Sequence, residues 1–463
     1  MNLFDYLIGQ SLKININLNI FNLFLSFLIC ALLPNSLFIL VCYSTHTLRP
    51  WLNLDYVVVA VLFCLPWLWV RILATALLLY TFLIDCLLIT VQLFPIQNIS
   101  ASTHLLPFIW QAPLEYLLML GMAVIWLIII FYLSIRQNNN YYIKQRIVLG
   151  LYVLLTGIIC NFFITSNFAA SQLIFFSVQG SSNNYSQADN LNADARMFNS
   201  GKKSLSMQLF KNNHNNRLLL IIDESWGSAL NIQLQNAVIQ KLLDKRNNLE
   251  FFEHGIKKFN GVTVQAELKE LCQIDLPSLD TQNIVNLNLN NCLPNLLKNR
   301  GYTTFAVHGS AGSFYNRADW YPAIGFQHQQ FLENMQHLPK CYPFKGVCDS
   351  AIFADVKKML LAQPKSFVYW MTLTTHFSYA EEDIHNIRLN CAQYDLKLGS
   401  KSCRNNMLHA QFFDQLAQWI NDPEMKGVEV VVIGDHPPPM FDTVEQNTVY
   451  NEYAVSWLHF KIK

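Results

Sequence analysis

Apolar residues are crowded into the first third of this chain, in runs about as long as a bilayer is thick. Crossing the hydrocarbon core as a helix takes roughly 20 such residues. Five runs meet that length or come close to it, at 20–43, 53–70, 72–94, 114–135 and 147–166. They help lift the hydrophobic share to 52%, high for a soluble protein. The second and third runs nearly abut at Arg71. A cleaved signal peptide does not fit the first run, which is long and followed by several more.

Positive charge then sets an orientation. Lys13, Arg71, Arg136, Lys144 and Arg146 fall on one side if the N-terminus is cytoplasmic; Arg49 is the exception. The loop 95–113 carries no Lys or Arg. Five spans would place everything after 166 outside the cytoplasm. Asp85 lies inside the third run, where an ionisable group is costly; facing a neighbouring helix and hydrogen-bonding there is the favoured reading. Residues 1–175 are thus expected to form an α-helical membrane domain, 176–214 a linker along the membrane surface, and 215–463 a soluble domain. The linker is rich in Asn, Ser and Gln, and its apolar patches at Phe175-Phe176 and Met207-Leu209-Phe210 suggest contact with the membrane interface.

Cysteine usage fits an exported second half. Cys30, Cys42, Cys64, Cys86 and Cys160 are scattered in apolar runs, as small core residues would be. Cys272, Cys292, Cys341, Cys348, Cys391 and Cys403 form an even set in polar surroundings, the pattern of disulfides in an oxidising compartment. Sequence neighbours suggest Cys272–Cys292, Cys341–Cys348 and Cys391–Cys403, among fifteen connectivities open to six cysteines. No Cys-x-x-Cys pair occurs to suggest a Cys-rich metal site.

In that half, β-prone runs alternate with helical patterns, which predicts an α/β domain around a largely parallel sheet. Strands are expected at 217–223, 302–307, 366–373, 428–434 and 453–461, and helices near 230–245, 293–300, 349–362 and 406–421. The run Leu218–Ile222 ends in Asp223 and Glu224, and the run Val428–Gly434 ends in Asp435 and His436. Ligands of such sheets bind beyond the carboxyl ends of the strands. Glu224, Asp435 and His436 are therefore candidate ligands of one divalent metal, Zn or Mn. Asp223 is expected to fix Glu224, with a second metal as the alternative.

This layout resembles the alkaline phosphatase superfamily, of sulfatase-like type, and within it the membrane-anchored lipoteichoic acid synthases and phosphoethanolamine transferases. Gly261-Val262-Thr263-Val264-Gln265-Ala266-Glu267 is similar to the synthases' Gly-x-Thr-x-x-x-Glu segment. That likeness implies that Thr263 is a metal-bound nucleophile that becomes phosphorylated by the substrate. Ser313-Phe314-Tyr315-Asn316-Arg317 resembles their Phe-Trp-Asn-Arg run, which implies that Arg317 and Tyr315 bind phosphate and head group, Tyr replacing Trp. His376, after the strand 366–373, matches a family His that donates to the phosphoryl group; His308 is a weaker candidate of the same kind. Lys345–Asp349 resembles a disulfide-bearing segment of the phosphoethanolamine transferases, whereas the surroundings of Thr263 lean to glycerol-phosphate transfer. Some relatives also carry a closing helix beyond the equivalent of Trp457-Leu458-His459.

The resemblance implies a transferase in a bacterial inner membrane, multi-pass, with its catalytic domain facing the exterior. It would move a phosphoethanolamine or phosphoglycerol head group from a phospholipid donor to a glycan or glycolipid acceptor. Two alternatives are a phosphodiesterase or phosphatase using water, and a non-catalytic envelope-assembly partner. Sulfatase activity is disfavoured: Cys292-Leu293-Pro294-Asn295-Leu296 lacks the Arg of a Cys/Ser-x-Pro-x-Arg motif. Balanced charge, +1 overall and without a basic stripe, argues against nucleic acid. Oligomeric state is not indicated.

Overall fold

The computed structural model describes residues 32–45, 49–63, 67–93, 114–136, 169–171, 204–210, 217–259, 261–276, 281–440 and 442–463. The chain forms two compact units.

The first unit is built on apolar helices. The apolar half of the chain contributes α1 (Leu33–Thr45), α2 (Leu54–Phe63), α3 (Leu68–Leu93) and α4 (Leu114–Arg136), with a two-residue parallel pairing of β1 (Leu52–Asn53) and β2 (Ala169–Ala170). Among the described residues one helix, over Leu68–Ile89, is long and apolar enough to cross a membrane, so the expectation of five spans is met here by one clear span. Arg71 does not divide the second and third runs: it lies inside α3. The run 147–166 and most of 20–43 fall outside the described residues. Asp85 is paired as expected. Arg49 donates to it from Nε (3.0 Å) and Nη2 (2.8 Å), and Asn53 Nδ2 adds a third bond at 3.2 Å. Arg49 Nη2 also reaches Asn35 Oδ1 at 2.9 Å. The one arginine on the wrong side of the charge pattern is thus a buried partner of the one acid in the third run.

The second unit holds an eight-stranded sheet: β3 (Leu218–Asp223), β4 (Gly227–Ala229), β5 (Leu249–Lys258), β6 (Thr303–His308), β7 (His328–Gln330), β8 (Ser366–Met371), β9 (Glu429–Gly434) and β10 (Tyr450–Ile462). Its order is β4-β10-β9-β3-β8-β6-β7, with β5 also on β10. Strands β9, β3, β8, β6 and β7 run parallel; β10 is antiparallel to β9, β4 and β5. Every residue of β3, β8 and β9 is buried. Leu219 and Ile221 join one hydrophobic cluster, Leu218, Leu220 and Ile222 another. Cover on both faces is why these strands read as unbroken apolar runs.

The helices of this unit are α5 (Leu205–Leu209), α6 (Ile232–Val238), α7 (Gln240–Asp244), α8 (Thr263–Cys272), α9 (Leu293–Asn299), α10 (Arg317–Ala323), α11 (Asp349–Leu361), α12 (Lys401–Leu416) and α13 (Thr443–Val449). The patch at Met207-Leu209-Phe210, expected at the membrane interface, instead packs on the core of this unit: Phe210 is buried, and Ser206 N donates to Glu270 Oε2 at 2.8 Å. All three expected disulfides are present, with Cα separations of 4.0 Å (Cys272–Cys292), 4.9 Å (Cys341–Cys348) and 5.6 Å (Cys391–Cys403).

Candidate active site

Four parallel strands end on one edge and each hands over a polar segment. In register, Asp223 of β3 faces Gly434 of β9, and His308 of β6 faces Met371 of β8. The next residues are therefore Glu224 on one loop, Asp435-His436 on a second, Thr372–His376 on a third and Gly309–Arg317 on a fourth. Helix α8 brings Thr263 to the same place as its first residue, so the hydroxyl sits at a positive helix end.

Glu224, Asp435 and His436 are buried and offer one ligand atom each within 4.8 Å of one another. His436 Nε2 lies 3.5 Å from Glu224 Oε1 and 3.3 Å from Asp435 Oδ2. Thr263 Oγ1 stands 3.4 Å from both Glu224 Oε2 and His436 Nε2. These residues suit a divalent cation on two counts. Asp435 Oδ2 is buried without a hydrogen-bond partner, and two carboxylates are forced together out of water. Burial, and then the charge of Glu224, push Asp435 up to about 7. Burial works against an imidazolium at His436, but Asp435 and Glu224 outweigh it and its pKa is raised. A bound cation would reverse that penalty. Zn and Mn both accept this O/N donor set.

The three site histidines share one orientation. Nδ1 of His436 faces Pro437 O at 3.0 Å, Nδ1 of His376 faces Phe377 O at 2.7 Å, and Nδ1 of His308 faces Met371 O at 3.0 Å. A carbonyl can only accept, so Nδ1 carries the proton and, in the neutral ring, Nε2 presents a lone pair. Burial holds His376 down to about 4, and burial with the charge of Arg317 holds His308 well below the ordinary range.

Arg317 is placed differently from a free anion receptor. Nε and Nη2 fork onto Glu267 (3.0 and 2.7 Å to Oε2), and Glu267 also accepts from Tyr321 at 2.5 Å and Tyr369 at 2.9 Å. Nη1 lies 3.4 Å from Phe314 O. The Arg317 guanidinium sits 5.1 Å from the Tyr315 ring centroid, and burial holds the Tyr315 hydroxyl's pKa above its ordinary value.

Supporting residues emerge that the sequence did not mark. Ser225, at φ 59°, donates from N to Asp435 Oδ1 (2.7 Å) and from Oγ to Glu224 Oε1 (3.0 Å). Thr372 Oγ1 accepts from Glu224 N at 2.8 Å, and Thr375 Oγ1 donates to Glu224 O at 2.6 Å. Asp223 holds no place in the three-residue cluster. It accepts from Thr372 Oγ1 at 3.1 Å and lies 3.1 Å from Nδ1 of His409, whose Nε2 is 3.1 Å from Ser225 O. A seryl neighbour two residues past a strand was the only hint; His409 sits mid-helix and gave none.

Residues 218–457 match the sulfatase family, and the chain belongs to it. It is similar to Lipoteichoic acid synthase 2 of Bacillus subtilis (strain 168), 26% identical over 153 residues, or 31% of this chain and 22% of that protein. The match thus spans about a fifth of that curated relative. Among solved structures, the lipoteichoic acid synthase LtaP from Listeria monocytogenes gives 16% identity and a TM-score of 0.43 over 55% of this chain and 66% of that one. The lipooligosaccharide phosphoethanolamine transferase A (EptA) from Neisseria meningitidis gives 12% and 0.43 over 96% and 88%. Within this family Cys292 has no route to a sulfatase nucleophile, because it is tied to Cys272.

Proposed function

We propose that this protein is a metal-dependent, membrane-anchored transferase. It moves phosphoethanolamine or phosphoglycerol from a membrane phospholipid to an extracytoplasmic glycan or glycolipid through a covalent Thr263 intermediate. The reading takes residues 1–175 as a multi-pass anchor in a bacterial inner membrane, with residues 215–463 facing the exterior. What carries it is the place of Thr263 Oγ1, 3.4 Å from two members of a buried Glu-Asp-His cluster and at a helix N-terminus, where negative charge is favoured.

Thr263 Oγ attacks the donor phosphorus, the bond to the diacylglycerol oxygen breaks, and the threonyl proton ends on that leaving oxygen. An acceptor hydroxyl then attacks the phosphoryl-Thr263, and its proton ends on Oγ. Glu224, Asp435, His436 and Thr263 Oγ would hold a zinc or manganese ion, which supplies hydroxyl activation and charge neutralisation. The family likeness casts His376 as a donor to the phosphoryl group, but with Nδ1 held by Phe377 O its neutral ring offers Nε2 as an acceptor, which suits proton uptake from the acceptor hydroxyl. Arg317 reaches a phosphoryl oxygen through Nη1, since its other donors hold Glu267. Tyr315 and His308 line the head-group side.

Incubating the full chain with mixed phospholipids and no acceptor, then mass-mapping the Thr263 peptide, tests this. A phosphoethanolamine or phosphoglycerol adduct is expected and names the donor. Bare phosphate would make the protein a phosphatase, and lipid turnover without any adduct would overturn the covalent route.

A further inference from the structure

Strand β5 (Leu249–Lys258) is ten residues long and pairs along one edge, with β10. Among the described residues no strand pairs with its other edge. A strand of that length with a row of unpaired N–H and C=O groups is a template for another strand. Nothing within it blunts the edge: it holds no proline, and its register with β10 runs unbroken from Lys258 to Phe251. Ile256 is 59% exposed, and Phe252 is half-buried.

The charges on this edge are ordered. Glu250 and Glu253 come first, Lys257 and Lys258 last. Edge charges commonly keep other strands away, but against a copy of the same strand they do so only where like meets like. A parallel copy of β5 would set Glu against Glu and Lys against Lys. An antiparallel copy reverses the order. Two antiparallel copies share a two-fold axis normal to the sheet, and opposed side chains point to the same face. Opposed residues are therefore separated by an even number of positions, which leaves few registers. With Glu253 on the axis, that acid faces itself and Glu250 faces Ile256. With His254 on the axis, Glu250 of each copy faces Lys258 of the other, and Phe252 faces Ile256. In that register no acid meets an acid and no lysine a lysine.

We propose that β5 joins two copies of this protein, antiparallel about His254, so that their sheets become one. The proposal does not rest on the head-group-transfer reading, because β5 carries none of the site residues. The Phe252–Ile256 pairs cover the apolar side chains of the edge, and the Glu250–Lys258 pairs fix the register. A foreign strand could use the same backbone groups, but it would not require Glu250 and Lys258 to lie at equal distances either side of His254.

The test uses the full chain in phospholipid vesicles under mild oxidation, with wild type as the control for its native cysteines. Opposed Cα atoms in an antiparallel ladder lie about 4.5–5.5 Å apart, within disulfide reach. His254→Cys should give a covalent dimer. Glu250→Cys and Lys258→Cys should each stay monomeric alone and cross-link when reconstituted together. Energy transfer between labelled copies then reads the charges. Lys258→Glu should raise the dimer dissociation constant about tenfold, as two attractive pairs turn repulsive. Glu250→Lys/Lys258→Glu should restore most of that loss, the remainder reflecting the broken Glu250–Lys461 pair within each copy. A monomeric wild type, His254→Cys that cross-links no faster than wild type, or a double reversal no better than Lys258→Glu would each overturn the proposal. None of these outcomes bears on the Thr263 adduct, so the two readings fail separately.

Discussion

At the scale of single residues, the site is set by which atom of each side chain is already spoken for. Fixing Nδ1 of His376 and His436 on carbonyls leaves Nε2 for chemistry, and Thr263 offers a hydroxyl 3.4 Å from both Glu224 and His436, whereas the Ser225 hydroxyl is bonded to Glu224. Thr263→Ala is expected to lower transfer by at least about 10³-fold, a modest figure for losing a catalytic nucleophile, while circular dichroism stays unchanged and Glu224, Asp435 and His436 still retain metal at weakened affinity. His376 makes a pH prediction. Its pKa is about 4 folded against 6.5 unfolded, so the unfolded chain takes the proton first. The stability linked to it is whole above pH 6.5 and drains as pH falls towards 4. Urea midpoints at pH 7 and 4.5 should therefore differ less in His376→Gln than in wild type. The acids and histidines at strand ends were legible in sequence because a buried apolar run that stops on polar residues delivers them to the sheet's carboxyl edge, though solvent-facing ends would read the same way. Arg317 was legible as a residue but its buried ion pair was not, because Glu267 comes from α8, and Tyr321 of α10 and Tyr369 of β8 meet that same carboxylate.

At the scale of elements, α8 joins two functions. Thr263 and Glu267 lie four residues apart, hence on one helical face, and Glu267 gathers the Arg317 fork and two tyrosyl hydroxyls. Glu267→Ala would leave a buried guanidinium unpaired and should cost about 3–5 kcal/mol in chemical denaturation. A smaller loss would mean the pair is not closed in solution. Cys272–Cys292 ties the end of α8 to the start of α9 across 20 residues. Replacing both with Ser should cost about 3 kcal/mol, the chain-entropy value for such a loop. The central strands were readable because burial on both faces makes them uniformly apolar. Strand β5 was not: Glu250, Glu253, His254 and Lys257 break its pattern, and it is a strand because β10 offers a partner. Helix α12 begins at Lys401 rather than 406, because Ser400 Oγ caps it at Cys403 N. The helix expected over 230–245 divides at Ile239 into α6 and α7.

At the scale of the molecule, the candidate metal site draws on the end of β3, the start of α8 and the end of β9, so one ion would tie together segments up to 212 positions apart, from Glu224 to His436. Binding there should therefore act on the stability of the whole second unit. Zn or Mn at about 100 times its dissociation constant should add about 2.7 kcal/mol, which for a domain of this size is roughly 5–10 °C in the unfolding midpoint. Chelation should remove both the shift and transfer. The acids predict the sign of a second effect. Burial and the Glu224 charge raise Asp435 to about 7 from 3.8, so the folded, metal-free protein holds that proton more tightly than the unfolded chain. Its contribution to stability is accordingly full below pH 3.8 and declines as pH rises to 7. Asp435→Asn removes one of two crowded charges and should raise the midpoint of the metal-free protein at pH 7.5 while abolishing the metal-induced shift. Thermal unfolding of both proteins, with and without chelator, reads the two effects together. A destabilised metal-free Asp435→Asn would mean that the two acids are not in conflict, and a persisting shift would place the ion elsewhere.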